Sequence, residues 1–111
     1  MSGPTSYRVE WADVARRDLD EISAFISKDS LTAALRLADR IEDRAAALES
    51  MPRRGRVPPE LERFGLQIYR ELLITPFRLV YRIYEDKVVV LGVFDGRRNL
   101  EDVILGRLLS M

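Results

Sequence analysis

The chain contains neither cysteine nor histidine. The first absence removes disulfides and thiolate chemistry. Together the two make an ordinary zinc site unexpected and exclude serine–histidine and cysteine–histidine machinery. The usual neutral-pH proton carrier is missing as well. No run of about 18 apolar residues occurs, and the first residues lack the apolar core of a signal peptide. A cytoplasmic location with no membrane partner is therefore expected. Lysine is scarce too: Lys28 and Lys87 stand alone, and every other basic residue is arginine. Arginine offers a planar five-donor fork suited to carboxylates and phosphates, although an arginine-biased coding sequence would give the same count. Lys plus Arg is 18 and Asp plus Glu is 18, so no whole-protein attraction to nucleic acid follows. A chain of 111 residues is one domain by size.

What is present centres on Leu66 to Val93, LQIYRELLITPFRLVYRIYEDKVVVLGV. Three apolar runs are separated by Thr75-Pro76 and by Glu85-Asp86-Lys87. Residues 77 to 84 alternate, with Phe77, Leu79, Tyr81 and Ile83 on one face and Arg78, Val80, Arg82 and Tyr84 on the other. Val88-Val89-Val90-Leu91 is β-branched and short. The pattern predicts a three-stranded antiparallel meander, which needs a second layer over its apolar face.

Upstream, residues 1 to 6 are expected to be disordered, and residues 7 to 111 to form the single domain. Tyr7 to Trp11 alternates as a strand with Tyr7, Val9 and Trp11 inward. Asp13 is a plausible N-cap, and Ala15, Leu19, Ile22 and Ile26 predict a helix over roughly 14 to 27. Lys28-Asp29-Ser30 breaks it, with Ser30 capping a second helix that runs to about residue 50. There Ala34, Leu37, Ile41, Ala45 and Leu48 form one stripe, while Arg36, Asp39, Arg40, Asp43 and Arg44 face water or a partner. A second face with Leu31, Leu35 and Ala38 is a possible partner contact. The two helices make a hairpin. Residues 53 to 65, with four arginines and two glycines, read as a loop or single-turn helix outside the core. Asp95-Gly96 is a turn signal. Asn99 can cap a short final helix carrying Leu100, Val103, Ile104 and Leu108. The expected fold is α+β, ordered β-α-α-β-β-β-α, with the helical hairpin packed on a small twisted sheet.

Arginine is the main candidate for function. Arg70, Arg78 and Arg82 fall on strands, Arg97 and Arg98 follow the last strand, and Arg53, Arg54 and Arg56 precede the first of the three. Same-face neighbours in a meander approach to about 5 Å. Arg78 and Arg82, on either side of Val80, are thus placed to line a patch for a partner's carboxylates or a phosphate backbone. Alternatively they solubilise a sheet face that no helix covers. Glu71, beside Arg70, is expected in an Arg–Glu ion pair. Tyr84 shares a face with Arg82 and suits packing or base stacking; most of the other aromatics are expected in the core. No carboxylate pair has the spacing of a general acid and base, so no catalytic residue, metal ligand or cofactor is assigned.

The order and spacing of these segments resemble the RelE/ParE superfamily of type II toxin–antitoxin toxins over about Tyr7 to Leu109. The matching pieces are A-x-x-D-L at Ala15 to Leu19, A-L-x-x-M-P-x-x-G-R at Ala47 to Arg56, the strand block through Val93, and DGRRNLEDVILGRLL at the close. The resemblance implies a small αβ toxin neutralised by a cognate antitoxin, in a hetero-oligomer that contacts DNA through the antitoxin. ParE-like members inhibit DNA gyrase by binding; RelE-like members cleave mRNA in the ribosome. By the same resemblance, a strand arginine expected near Leu73 is absent, and the position of a catalytic tyrosine expected on the terminal helix falls near Ile104, which cannot serve. The basic pair after the last strand is present as Arg97 and Arg98. Arginine is a poor proton shuttle, which also favours the ParE-like branch. Arg70, Arg78, Arg82, Tyr84, Arg97 and Arg98 are then the expected contacts to target or antitoxin. The alternatives are an mRNA endonuclease, with Arg70, Arg78 and Arg98 on the phosphate and Glu71 or a nearby carboxylate as base, or a non-toxic antitoxin-binding member.

Overall fold

The computed structural model describes residues 6–111. The disorder expected for residues 1 to 6 thus lies outside the described residues, except at Ser6, whose hydroxyl donates to Glu49 Oε1 at 3.0 Å. The chain forms β1 (Arg8–Trp11), α1 (Asp13–Ser27), α2 (Leu31–Ala46), α3 (Pro59–Glu62), β2 (Tyr69–Ile74), β3 (Phe77–Ile83), β4 (Lys87–Asp95) and α4 (Glu101–Leu109). A 3-10 turn over Ala47–Glu49 extends α2, so the second helical segment ends close to residue 50 as expected. The sheet order is β1-β4-β3-β2. The meander β2-β3-β4 is antiparallel, and β1 joins β4 in parallel, pairing Arg8 to Trp11 with Lys87 to Val90.

The alternation of β3 holds. Phe77, Leu79 and Tyr81 are buried against the helical hairpin, with Ala15, Leu19, Ile41, Ala45 and Leu48 from the helical segments completing that core. Tyr7, Val9 and Trp11 pack against it as expected. In β4 the alternation breaks, because a bulge shifts the register between Val80 and Tyr81. Leu91 is the extra residue, so Val88, Val90 and Val93 all reach the hairpin core although the spacing from 90 to 93 is odd.

The opposite face is covered over the middle of β3 and the end of β4. Val80 and Phe94 pack under Leu61 of α3 and Leu100 and Ile104 at α4, forming a second buried cluster. Two expectations are corrected here. The second sheet face is not left bare around Val80 and Phe94, and the segment 53 to 65 is not outside the core, since Leu61 and Pro58 are fully buried. Burying a side chain such as Leu61 or Ile104 contributes about 1.5–3 kcal/mol, and prolines and arginines surrounding a single leucine hide that signal in sequence.

The caps also differ in detail. Ser30 caps α2, accepting from Ala33 N at 3.1 Å. Asp13 is the first residue of α1 rather than its cap; Ala12 takes that position with no side-chain bond. Asn99 accepts from Glu101 N at 3.3 Å, but Leu100 is the N-cap of α4. Arg44 is half-buried, not water-facing.

Candidate interaction site

Arg78 and Glu71 form the centre of an ion-pair cluster on the second face. Glu71 pairs with Val80 and Leu73 with Arg78 across β2 and β3, so all four share that face. Arg78 donates Nη1 and Nη2 to the two carboxylate oxygens of Glu60, both at 2.6 Å, and Nε to Glu71 Oε1 at 2.6 Å. Arg56 Nε donates to Glu71 Oε2 at 2.8 Å. Glu71 is 1% exposed. The expected Arg–Glu pair for Glu71 therefore exists, but with Arg56 and Arg78. Arg70, one residue away, points to the opposite face, beside Tyr81, as strand geometry requires. The bidentate hydrogen bond from Arg78 holds the Glu60 carboxyl below its ordinary 4.5, and the same contact raises Arg78.

A second clasp fastens α4 to α1. Asp18 accepts from Arg107 Nη1 and Nη2 at 2.8 and 2.9 Å, and from Val93 N at 2.9 Å. Arg107 also donates to Leu91 O at 3.0 Å and lies 5.1 Å from the Phe94 ring centroid. Gly92 makes room for this: a Cβ there would sit 2.5 Å from Phe94 and 2.9 Å from Arg107. Beside the clasp, α1, the end of β4 and α4 enclose an open groove of about 380 Å³. Ile22, Phe25, Ile26, Phe94 and Val103 give it an apolar lining, and Arg97 and Arg98 also border it. Phe25 is 69% exposed, which marks an apolar surface without an intramolecular cover.

The six expected contact residues do not make one patch. Arg97 and Arg98 lie at the groove and are exposed. Arg97 is bound to Asp95, with Nη2 to Oδ2 at 2.8 Å; this pair and the Arg97 backbone N–H lower the Asp95 carboxyl to about 2. Arg98 has no ion-pair partner among the described residues. Arg78 is not an exposed contact, because each nitrogen of its guanidinium donates to Glu60 or Glu71 and its side chain is 11% exposed. Arg82 lies across Val80 from it and stacks 4.5 Å from the Tyr84 ring centroid, with Lys87 on the same ring at 5.6 Å. Arg70 donates to Gly55 O at 2.7 Å, at the far end of the sheet from Arg97.

Sequence reasoning missed Asp18, Glu60 and Arg107 as organisers, and the groove with them. Asp18 and Arg107 are 89 positions apart, so no local spacing could pair them. The apolar signal at Phe25 was visible only as an extra aromatic on the first helix.

Comparison with known proteins decides the family. Residues 9–100 match the family described as the ParE toxin of the type II toxin–antitoxin system parDE. The chain belongs to the ParE toxin family. Y4kP of Sinorhizobium fredii is 35% identical over 99 residues, covering 87% of this chain and 96% of that protein. In structure, a chain of the chromosomal ParDE toxin–antitoxin system from P. aeruginosa superimposes with a TM-score of 0.68 at 18% identity, covering 83% of this ParE-family chain and 98% of that one. A chain of the RelBE2 toxin–antitoxin complex from Mycobacterium tuberculosis gives 0.53 at 26% identity, covering 86% and 97%. The helical hairpin on an antiparallel meander is thus the RelE/ParE toxin fold. Among the described residues, no helix is long and apolar enough to cross a membrane.

Proposed function

We propose that this ParE-family toxin inhibits DNA gyrase by binding it, without cutting a substrate, and is neutralised by a cognate antitoxin that also supplies the contact to DNA. The match to ParE toxins over residues 9–100 carries the reading. The ion-pair cluster supports it. A phosphate-cleaving site on this face would use Arg78 to hold phosphate and Glu71 as base. Both oxygens of Glu71 instead accept from Arg56 and Arg78, and each nitrogen of the Arg78 guanidinium donates to a carboxylate. The contact surface we assign is the α1–α4 groove with Arg97 and Arg98, where an apolar partner segment carrying carboxylates would bury Phe25 and Val103. Arg70, Arg82 and Tyr84 lie together at the other end of the sheet from this groove and would serve a partner that reaches across the sheet. Arg78 acts behind the surface, holding β3 to α3.

The likeness to the RelBE2 chain gives the second reading, a ribosome-dependent mRNA endonuclease. Controlled expression of this chain, alone and with the neighbouring antitoxin gene, separates the two. Viable count is read with mRNA end-mapping. The expected result is loss of colonies, rescue by the antitoxin and unchanged mRNA ends. Discrete new mRNA ends would transfer the protein to the endonuclease reading. Normal growth with soluble protein present would leave a non-toxic antitoxin-binding member. The surface assignment fails separately if changing Arg97 and Arg98 to alanine leaves both toxicity and antitoxin binding unchanged.

A further inference from the structure

At the far end of the sheet a surface loop is fastened from inside. Tyr81 Oη donates to Pro52 O at 2.7 Å and accepts from Gly55 N at 3.0 Å. Arg70 Nη1 donates to Gly55 O at 2.7 Å. Arg56 exchanges both backbone bonds with Glu71, at 3.1 and 2.7 Å. Gly55 sits so close that a Cβ there would lie 2.5 Å from Glu71 O. Buried groups thus fix the backbone of residues 52 to 56, while the side chains of Arg53 and Arg54 are exposed and have no ion-pair partner among the described residues. A loop already held in one conformation loses little freedom on binding.

Next to it lies an open notch of about 380 Å³ lined by Arg53, Gln67, Ile68, Arg70, Tyr84 and Glu85, among others. It shares no residue with the α1–α4 groove. Ile68 is 54% exposed and Tyr84 38%, so apolar surface stands beside the unpaired Arg53 guanidinium, with Arg54 exposed on the same loop. We infer that this loop and notch bind a short acidic peptide segment of a partner protein, its carboxylates on Arg53 and Arg54 and an apolar side chain against Ile68 and Tyr84. Charge complementarity selects carboxylates. A nucleic-acid strand fits less well, because the chain has no net positive charge to hold a polyanion. This surface is independent of which target the toxin inhibits.

The test is a titration of the isotope-labelled full chain, followed by amide chemical shifts. The probe is a blocked hexapeptide alternating glutamate and leucine; its glutamine–leucine counterpart and a single-stranded oligothymidine are run beside it. The expected shifts concentrate at residues 53 to 55 and at Gln67 and Ile68, with affinity falling at least about tenfold in the glutamine peptide and in Arg53→Ser/Arg54→Ser. Because both side chains are exposed, that variant keeps the wild-type spectrum elsewhere. No binding of the glutamate peptide, shifts confined to Arg97 and Arg98, or tighter binding of the oligothymidine would each overturn the inference.

Discussion

Arg78 and Arg98 carry the same side chain in opposite circumstances. Arg78 lies on a central strand, enclosed by Glu60 and Glu71. Arg98 follows the last strand, exposed and without a carboxylate partner among the described residues. The first holds the fold together, and the second is available to a partner. An arginine count therefore says little about a binding surface until the acids that each guanidinium meets are known. In this molecule, long-range pairing engages Arg56, Arg78 and Arg107, while Arg53, Arg54 and Arg98 are among the exposed arginines with no ion-pair partner among the described residues.

The difference should be largest in Arg78→Ala. That change leaves Glu71 buried with only a half-exposed Arg56, at a cost of about 3–5 kcal/mol, read as a lowered denaturation midpoint. Arg78→Lys should recover only part, because one ammonium cannot reproduce the fork that bridges two carboxylates. A loss well under 1 kcal/mol would mean that the cluster is not holding β3 to α3.

Asp18→Ala comes next. It strips the partner from Arg107 and from Val93 N–H, at a cost of about 1–3 kcal/mol. Amide exchange should speed up through α4 and leave β3 protected. Uniform acceleration across the chain would contradict a clasp specific to α4.

Acid should act more weakly, in part through Glu60. Glu60 is depressed in the folded state, so its contribution is present above its ordinary 4.5 and is lost as pH falls from there through the folded value. Denaturation midpoints measured down that range should fall less steeply for Glu60→Gln than for the wild type. Equal slopes would show that Glu60 does not carry the linkage.

The smallest change in stability is expected for Arg98→Ala, within about 0.5 kcal/mol of the wild type. A larger loss would place Arg98 among the structural arginines.

The helical hairpin, the meander and the inward faces of β1 and β3 were legible because each depends on local period. Ser30, Ala34, Ile41 and Ala45 sit where spacing puts them. The parallel pairing of β1 with β4 was not, since it joins residues nearly eighty positions apart. Nor was the bulge at Leu91, because an unbroken apolar run hides a change of phase. Exposure was legible at Arg97 and Arg98, which follow a turn signal and stay at the surface. It was misread at Arg78, where strand alternation correctly gave the face but could not reveal that Glu60, eighteen residues earlier, would cover it.

Supercoiling of relaxed plasmid by purified DNA gyrase, with this protein added in stoichiometric amount, tests the account most directly. The account predicts inhibition by the wild type, relief by the cognate antitoxin, and weaker inhibition by Arg97→Ala/Arg98→Ala with the fold intact. Undiminished supercoiling in the presence of folded wild-type protein that stops growth in cells would contradict it.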